Sequence, residues 1–593
     1  MGSSRVRNTS NSKTTHRDSV PACDATTPRS ARHRARAVTE PFVANGPEQQ
    51  QVISTEAQMT VVLGGAGTGK STCALAAARA HLERATTPRR DRALFLSFSR
   101  AAVARLIEHS GGILGEHAER VDVLTFHALS YSIVRRFGSL LDQPGVVLVN
   151  KHCAAIRDLA PHEIGYDDLH PMAREILEYC PAAKEVIQNR WSLIIVDEFQ
   201  DTDSDEEALL ALIAVGARRI LLGDPNQCIY ADLPMRTGVR VERILEACTA
   251  AGSANVIALP TRSHRDPTDV IPLLAQEILN RRFNSKPVIE AIDLGRLKIW
   301  RGISANNEIE VVDDAIQDLR AEGHNVAVFT HHVDTLAKLA DGLEKRGIPV
   351  DVAGLSDALS CALDAQVAML KYAVEDIKWE KVLEALGIFV ISAQRGKQRP
   401  PLVDHLVYGG GSAMLWRKLT SLRELLELTE GISELMAITS DAHRLIGLPA
   451  KISAWERASL LLRPMRARAA RQLGTGAGLR LIVRNIAAAA RETSAAELTL
   501  SRADYEDPER IQLMNLYQTK GREADATVII LREDDFMGKE REPFPNTSRL
   551  LYVVFTRARK RIVVLLIGNG LPPAVTPLLS LAHWAPHGRL PAV

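Results

Sequence analysis

Residues 61–72 read Val-Val-Leu-Gly-Gly-Ala-Gly-Thr-Gly-Lys-Ser-Thr, and this stretch decides the fold. An apolar run leads into the pattern G-x-x-x-x-G-K-[ST], and helix-forming residues follow it, which is the setting in which this pattern binds phosphate. Glycines allow backbone N–H groups to converge on a phosphate, and the N-terminus of the following helix adds partial positive charge. The pattern predicts a nucleotide-binding loop, with contacts from Gly64, Gly65, Ala66, Gly67, Thr68, Gly69, Lys70, Ser71 and Thr72.

The lysine and the hydroxyl residue that close this loop have separate expected roles. In loops of this kind the lysine reaches the β- and γ-phosphates, and the next hydroxyl binds Mg²⁺. We therefore expect Lys70 to contact the phosphates of ATP and Ser71 to bind the magnesium ion. A glycine-rich turn without a ligand is the alternative, and the flanking strand and helix disfavour it.

A second apolar run, 193–196, ends in Asp197-Glu198-Phe199-Gln200-Asp201. Ligands of open α/β sheets bind at the carboxyl ends of strands, so two carboxylates delivered there fit the same nucleotide site. Asp197 can hold Mg²⁺, directly or through water, and Glu198 can orient or deprotonate the attacking water. An acidic pair after a strand is more often a solvated loop, but the phosphate-binding loop earlier in the chain favours the functional interpretation.

Short β-branched runs alternate with helix-length segments through most of the chain, which is typical of parallel βαβ units. The predicted strands are 60–63, 93–97, 121–125, 193–196, 219–222 and 255–259 in a first set, and 297–300, 326–330, 511–516, 527–531 and 561–566 in a second. The predicted fold class is α/β, with two domains that have parallel sheets, each carrying a mainly helical insertion.

Changes in composition along the chain indicate where the domains begin and end. Residues 1–40 are rich in Ser, Thr, Arg and Pro, which predicts a disordered tail. The first predicted domain comprises 41–129 and 189–285, with a helical insertion at 130–188 between them. The second comprises 286–370 and 505–575, with a helical accessory insertion at 371–504 between them. A C-terminal tail is predicted at 576–593.

Charge and cysteine content exclude several classes of protein. The chain has 593 residues and a net charge of +2, so any nucleic-acid site must be a local groove rather than a global basic field. Seven scattered cysteines without a C-x-x-C pair argue against a disulfide framework and a zinc or iron–sulfur site. No apolar run reaches 18 residues and no signal-peptide pattern begins the chain, so we expect a cytoplasmic protein with no membrane partner.

The segment 197–201 closely resembles the D-E-x-Q-D signature of UvrD/Rep/PcrA-type superfamily 1 DNA helicases, and further segments follow in the family's order. They are 47–49 (the adenine-reading Gln motif), 97–102 (T-F-T-N-K-A-A), 125–127 (T-F-H), 223–230 (G-D-x-x-Q-S-I-Y), 262–263 (the end of L-x-x-N-Y-R-S), 517–523 (H-x-x-K-G-x-E) and 549–558 (R-L-x-Y-V-A-x-T-R-A). Any one short segment is weak, but together in this order they are specific. The resemblance implies two RecA-like P-loop domains with ATP between them.

The resemblance also assigns roles to single residues. It implies that Gln49 reads adenine, that Gln227 senses the γ-phosphate, and that Glu523 contacts the nucleotide. Arg262 and Arg557 would reach the γ-phosphate, with Arg557 as the arginine finger from the second domain. The implied DNA contacts are Phe98, Arg100, Thr125, His127, Tyr230 and Tyr517.

Four positions depart from the family's pattern. The base-stacking Trp that normally follows Tyr230 is missing, because Tyr230 is followed by Ala-Asp-Leu-Pro. Pro260 and Thr261 replace an Asn-Tyr whose Tyr normally stacks on adenine. Tyr517 replaces a His, and Ser548 stands where an Arg is common.

The resemblance implies an ATP-dependent 3′–5′ DNA helicase that acts on single-stranded DNA and on single/double-strand junctions. The alternative is a DNA-stimulated ATPase that translocates or switches without unwinding, together with a partner nuclease or repair protein in DNA repair or phage defence. A nucleotide-gated DNA-binding scaffold is a third interpretation, which the intact Glu198 and Arg557 disfavour.

The accessory insertion carries an arginine-rich stretch with two open interpretations. Side chains three and four residues apart share a helix face, so these arginines form either a duplex-binding strip or a solvated face. They are Arg463, Arg466, Arg468, Arg471, Arg480 and Arg484.

Overall fold

The computed structural model describes residues 44–84, 92–97, 103, 106, 110–142, 144–150, 152–231, 238–260, 262–353, 357–393, 401–409, 412–448, 452–474, 476–494, 510–520, 522–536, 540–568 and 570–585. The predicted tail 1–40 and the predicted DNA contacts Phe98 and Arg100 lie outside these residues.

The first sheet has six parallel strands. They are β1 (Met59–Leu63), β2 (Ala93–Ser97), β3 (Val121–Thr125), β6 (Leu193–Val196), β7 (Arg218–Gly223) and β8 (Val256–Ala258). Their order in the sheet is β3-β2-β6-β7-β1-β8. Strands β2 and β6 are buried along their whole length, as expected when helices cover both faces of a parallel sheet. This explains why they appear in the sequence as continuous apolar runs.

The second sheet has seven parallel strands. They are β9 (Leu297–Ile303), β10 (Val326–Thr330), β11 (Val350–Ala353), β12 (Ile511–Asn515), β13 (Ala524–Arg532), β14 (Ala558–Ile567) and β15 (His583–Trp584). Their order is β11-β12-β10-β13-β14-β9-β15. A small parallel pair, β4 (Val147–Val149) and β5 (Glu163–Gly165), lies apart from both sheets. The predicted α/β fold class with parallel sheets is confirmed.

Helices connect these strands and form the insertions. The α-helices are Pro47–Ser54, Lys70–Arg84, Phe126–Phe137, Cys153–Ile156, Leu169–Tyr179, Pro181–Gln188, Ser204–Ile213, Glu242–Ala251, Val270–Leu279, Lys286–Asp293, Glu308–Ala321, Val333–Lys345, Asp357–Ala373, Trp379–Ser392, Pro401–Tyr408, Ala413–Leu428, Ile432–Ile446, Ile452–Leu473, Leu479–Ser494 and Pro545–Phe555. Short 3₁₀ helices are Gly115–Arg120, Gly138–Leu141, Tyr166–Asp168, Phe199–Asp201, Pro225–Gln227, Ser253–Asn255, Leu516–Gln518 and Thr576–Leu581.

Two helical blocks interrupt the sheets. The helices of 126–188 lie between β3 and β6, and those of 357–494 lie between β11 and β12. The helix Val270–Leu279 packs in the same apolar core as β9 and β14 of the second sheet, although its sequence position falls within the predicted first domain. Likewise β15 pairs with β9, within the stretch predicted as a tail. The division into domains stays a proposal.

A helix that crosses a lipid bilayer needs about 20 predominantly apolar residues. In the part of the chain that the structure describes, no helix has both the length and the apolar character of a membrane span.

Candidate active site

The phosphate-binding loop lies between β1 and the helix Lys70–Arg84. Gly67 has φ +78° and Gly69 has φ +85°, a region that only glycine adopts without strain. A Cβ on Gly67 would collide with the hydroxyl of Ser263, and the Gly67 carbonyl accepts a hydrogen bond of 2.8 Å from the backbone N–H of His264. The loop is therefore held against the segment 263–264, and the glycine at 67 is required by both conformation and space.

Lys70 and Ser71 begin the helix at the end of this loop. The ammonium group of Lys70 donates to the carbonyls of Gly64 and Gly65, at 2.6 and 3.0 Å. The hydroxyl of Ser71 donates to the Oδ2 atom of Asp197 at 2.8 Å, although the two residues are 126 positions apart. The structure thus brings together the two residues that the sequence assigned to the metal ion.

Glu198 follows Asp197 at the carboxyl end of β6 and has an unusual backbone conformation. Its φ of 53° and ψ of 41° lie in the left-handed region, which costs roughly 1–2 kcal/mol for a residue other than glycine. The side-chain amide of Gln200 donates to Glu198 Oε2 at 2.6 Å and its oxygen accepts from the backbone N–H of Asp224 at 3.1 Å. The Gln200 side chain therefore fixes the Glu198 carboxylate relative to the end of β7.

The two adjacent carboxyl groups differ in their ionisation. Burial raises the pKa of Asp197, and the neighbouring charge of Glu198 raises it further. Burial also acts to raise the pKa of Glu198, but the charges of Lys520 and Lys70 outweigh it, so that pKa lies below its ordinary value. Glu198 is therefore ionised at neutral pH, which is the state that a proton acceptor needs.

Residues from the second sheet reach this site. The guanidinium of Arg557 donates to Gln227 Oε1 at 3.3 Å, and Gln227 donates to Asp224 Oδ2 at 2.9 Å. The hydroxyl of Tyr552, on the helix Pro545–Phe555, donates to the same Asp224 oxygen at 3.2 Å. The predicted finger residue and the predicted γ-phosphate sensor are therefore in direct contact.

Two ion pairs also join the first sheet to the segment after β12. Lys520 pairs with Asp201, and both side chains are almost completely buried, at 3% and 0% exposure. Arg265 pairs with Glu523, which also accepts from Arg559 at 3.2 Å. Glu523 thus lies between Arg265, which follows the first sheet, and Arg559 of β14.

Sequence reasoning missed the roles of Lys520 and Tyr552. Both lie inside matched segments, 517–523 and 549–558, but no role was given to either residue. Burial, together with the charge of Asp224, raises the pKa of Tyr552 well above its ordinary range, so its hydroxyl remains a hydrogen-bond donor. The available signals were a basic residue and a hydroxyl within the matched motifs, the hydroxyl in an otherwise apolar helix.

The predicted adenine reader and the second γ-phosphate arginine differ in their placement. The side-chain amide of Gln49 donates to the Thr68 carbonyl at 3.4 Å and lies 3.1 Å from His264 Nε2. Gln49 is buried beside the loop. Arg262 is exposed, although its neighbour Ser263 touches the loop.

The predicted DNA contacts that the structure describes are all engaged within the protein. Thr125 is the N-cap of the helix Phe126–Phe137 and accepts from the backbone N–H of Ala128 at 3.1 Å. His127 is buried and stacks on Tyr166, with ring centroids 4.2 Å apart.

Tyr230 and Tyr517 contact each other. Tyr230 is only 8% exposed, and its hydroxyl donates to the Tyr517 carbonyl at 2.7 Å. The ammonium group of Lys520 lies 5.0 Å from the centre of the Tyr230 ring. In this conformation the Tyr230 ring faces protein rather than an open groove.

The six arginines of the accessory insertion pair with residues of the chain. The partners are Asp341 for Arg463, the Ser433 hydroxyl for Arg466, Asp351 for Arg468, Glu344 for Arg471, and Asp376 for both Arg480 and Arg484. This arrangement favours the solvated, ion-paired face over the duplex-binding strip.

The donor set at the loop fits the cofactor that the resemblance implies. A hydroxyl and a carboxylate, Ser71 and Asp197, meet at 2.8 Å, and Mg²⁺ prefers such hard oxygen ligands. These two residues could hold Mg²⁺, while Lys70 and the loop amides could hold phosphate oxygens.

Comparison with known proteins adds independent findings. Residues 49–232 match a family model described as an AAA domain. The mitochondrial ATP-dependent DNA helicase HMI1 of Saccharomyces cerevisiae is 26% identical over 204 residues, which are 31% of this chain and 28% of that protein.

Two bacterial relatives are similar over shorter segments. The RecBCD enzyme subunit RecB of Mycolicibacterium smegmatis is 34% identical over 108 residues, covering 18% of this chain and 10% of that protein. An ATP-dependent helicase/nuclease subunit of Streptococcus sanguinis is 36% identical over 74 residues, 12% of this chain and 6% of that protein. The chain thus covers less than a third of the length of each relative. The matched AAA domain and these relatives confirm the resemblance that the motifs indicated.

Proposed function

From the homology of this chain to UvrD/Rep/PcrA-type superfamily 1 DNA helicases, we propose that it is an ATP-dependent DNA helicase that moves 3′–5′ along single-stranded DNA. The observation that carries this proposal is the contact between Arg557 and Gln227 at 3.3 Å. It joins a residue of the second sheet to the nucleotide site of the first. Hydrolysis at that site can therefore change how the two sheets meet.

The residues of the first sheet supply the chemistry. Lys70 binds the β- and γ-phosphates, and Glu198, ionised and oriented by Gln200, accepts the proton of the attacking water. Mg²⁺, when bound, neutralises phosphate charge beside Ser71 and Asp197. Arg557 stabilises the charge that develops on the γ-phosphate, an effect worth roughly 10³–10⁵ in rate in related enzymes.

The contacts between the sheets convert this chemistry into movement. Arg557, Lys520 and Glu523 all belong to the second sheet and its adjoining segments, and each binds a residue near the first. When the γ-phosphate leaves, Arg557 and Gln227 lose their shared ligand and the cleft between the two proposed domains opens. Alternating grip by 41–129 with 189–285 and by 286–370 with 505–575 then gives stepping along a strand.

A second candidate function is a DNA-stimulated ATPase that translocates without unwinding. Tyr230 is 8% exposed and bonded to the Tyr517 carbonyl, and the Trp that follows it in the family is absent. A base stacked on an aromatic ring contributes roughly 1–3 kcal/mol, so the loss of such a platform weakens the grip needed to separate strands. The relatives named as helicase/nuclease subunits suggest a partner nuclease for such an enzyme.

Two assays on the purified full chain separate these functions. ATP hydrolysis is measured with and without single-stranded DNA, and strand displacement is measured on duplexes with a 3′ or a 5′ single-stranded tail. The helicase proposal expects DNA-stimulated hydrolysis and displacement from the 3′ tail. Hydrolysis stimulated by DNA without displacement from either tail supports the translocase, and displacement from the 5′ tail alone overturns the proposed polarity.

The variant Glu198→Gln is the control for both assays. It keeps ATP binding and loses hydrolysis, because an amide cannot take up the proton. Displacement that persists in this variant while its own ATP hydrolysis is lost comes from a contaminant. If the variant hydrolyses ATP within a few-fold of the unmodified chain, Glu198 is not the catalytic carboxylate.

A further inference from the structure

Two neighbouring strands of the second sheet deliver two histidines and an aspartate to one place. His331 and His332 directly follow β10, and Asp535 lies three residues after the end of β13. The two strands are parallel and paired, so both segments leave the same carboxyl edge of the sheet. One ligand atom from each of the three side chains lies within 4.8 Å of the other two.

The distances fit a single small cation. His332 Nε2 lies 3.4 Å from Asp535 Oδ1, and His331 Nδ1 lies 3.7 Å from the same oxygen. In a tetrahedral zinc site with metal–ligand bonds of about 2.0–2.1 Å, neighbouring ligand atoms are about 3.3 Å apart. The two distances to Asp535 Oδ1 exceed that value by about 0.1 and 0.4 Å, so side-chain adjustment within the 4.8 Å span of the group would close it around one ion.

Buried polar atoms in this group have no hydrogen-bond partner among the residues that the structure describes. They are Oδ1 of Asp535 and Nδ1 of His331. The Asp535 side chain is 1% exposed, and its other oxygen accepts from the backbone N–H of Arg532 at 2.7 Å. A buried carboxylate oxygen that accepts no hydrogen bond is rare in native proteins, and a bound water or ion is one explanation for it.

The His332 nitrogen nearest Asp535 also has a backbone neighbour. His332 Nε2 lies 3.1 Å from the carbonyl oxygen of Asp534, and an ion bound by that nitrogen would replace this contact. Asp534 and Asp535 are the carboxyl groups that face the two rings.

A second histidine–carboxylate group in the described residues has a structural explanation. It contains His127, His170 and Glu206, all buried. His170 Nδ1 lies 2.8 Å from the Ser130 hydroxyl, and Glu206 accepts from the backbone N–H of Asp203 in a helix cap. The Glu206 carboxylate thus already caps a helix, whereas Asp535 Oδ1 accepts no hydrogen bond from the described residues.

We propose that His331, His332 and Asp535 bind one divalent transition-metal ion of the zinc type. Two imidazoles and a carboxylate are a ligand set that zinc accepts, with water or Asp534 as the fourth ligand. The scattered cysteines argue only against a zinc site with thiolate ligands, and they do not bear on a site made of histidine and aspartate.

The ion joins the segments after β10 and β13 to each other. The Asn515 side-chain amide donates to the His331 carbonyl, and the His331 ring lies 5.9 Å from that of Tyr517. The site therefore fixes the edge of the second sheet next to a predicted DNA contact. Its existence does not depend on the proposed function, because metal binding is measured without ATP or DNA.

The test measures zinc on the full chain prepared without a histidine tag. The protein is loaded with zinc, freed of excess by gel filtration and analysed for metal content, and its zinc affinity is measured against a fluorescent chelator. We expect one zinc per chain. His332→Ala, at a partly exposed position, and Asp535→Asn, which keeps the side-chain volume, should each weaken zinc binding by about 100-fold or more, at least the loss caused by removing a supporting residue.

The matched control is His583→Ala, because His583 is an exposed histidine of the same sheet outside the group. Melting temperatures of all variants in chelator show whether folding is intact. A fully folded chain that takes up no zinc, or His332→Ala and Asp535→Asn variants that bind zinc like the unmodified chain, overturns the proposal. Zinc that is lost in His170→Gln but kept in His332→Ala would place the ion at the other group and also overturn it.

Discussion

The carboxyl edge of the first sheet and the segments predicted to contact DNA use their polar side chains differently. At the first sheet, hydrogen bonds of 2.6 to 2.8 Å fix the side chains of Lys70, Asp197 and Glu198. In the DNA segments, Thr125 caps a helix and Tyr230 bonds to a backbone carbonyl.

The difference reflects the two kinds of ligand. A phosphate chain needs a few fixed donors at set distances, so its site is organised before the ligand arrives. A single strand is held along a groove by backbone charge and by rings that any base can stack on, so its contacts are tolerant of position. The nucleotide-site residues are therefore already arranged in the free protein, whereas the residues predicted to contact DNA would have to exchange their internal partners to do so.

Lys70→Ala should have the largest effect, because it removes a charged group from the nucleotide site, whose residues are already arranged. ATP turnover should be abolished, since the β- and γ-phosphates lose their cation. Steady-state hydrolysis with saturating single-stranded DNA measures it, and Lys298→Ala, an exposed lysine of β9, is the matched control. Turnover at the unmodified rate in Lys70→Ala would remove the basis for the nucleotide site.

Arg557→Ala tests the contact between the sheets. We expect kcat to fall by roughly 10³–10⁵, with ATP affinity much less affected, because the arginine acts on charge that develops during hydrolysis. Single-turnover hydrolysis and nucleotide-binding titrations separate the two quantities. Arg561→Ala is the control from β14, the strand that Arg557 directly precedes, and its arginine pairs with Glu322 at 3.0 Å. A change confined to KM would instead make Arg557 a binding residue.

Lys520→Gln should lower the free energy of unfolding, and it should also lower the rate of ATP hydrolysis at low pH. Losing one partner of a buried ion pair leaves Asp201 uncompensated and costs roughly 3–5 kcal/mol in the free energy of unfolding. The Lys520 charge also lowers the pKa of Glu198. Without it that pKa rises, and because Glu198 must be ionised to accept a proton, the acid limb of the rate profile should move to higher pH.

Chemical denaturation and a pH–rate profile measure these two effects. The double variant Lys520→Gln/Asp201→Asn should recover much of the stability, because it removes the unpaired charge. It should not restore the acid limb, since the cation near Glu198 is still missing. An acid limb that stays in place in Lys520→Gln would show that Lys520 acts only in stability.

Tyr230→Phe should have the smallest effect. The variant loses the hydrogen bond to the Tyr517 carbonyl and should lose about 1 kcal/mol of stability. It keeps the ring, so affinity for single-stranded DNA should change less than about twofold if the ring is what DNA uses. Denaturation and fluorescence anisotropy on the same sample decide this. A large loss of DNA affinity at unchanged stability would show that the hydroxyl itself contacts the strand.

Local patterns predicted much of the molecule. Every predicted strand is present, and each observed end lies within three residues of the predicted one. The agreement is this close because buried parallel strands appear in the sequence as continuous apolar runs. Strand β11 was missed because it is short, lies at the sheet edge and contains the charged Asp351. Lys70 and Ser71 could be assigned because the loop pattern fixes their spacing within a few residues.

Contacts between distant parts of the chain could not be predicted in this way. Lys520 and Asp201 are 319 positions apart, and Tyr552 and Asp224 are 328 apart. No local spacing relates such pairs, and they depend on how the two sheets face each other. The helix Val270–Leu279 shows the same limit, since its apolar face fits either core and only packing selects the second.

The ion pairs of the accessory insertion connect it to the second sheet. Arg463, Arg468 and Arg471, all on the helix Ile452–Leu473, bind Asp341, Asp351 and Glu344, which belong to elements of the second sheet or flanking it. These ion pairs therefore attach the insertion to the second sheet. A helix of 22 residues extends about 33 Å. Because this helix is also buried in the core along much of its length, we expect the insertion to move with the second sheet as one body.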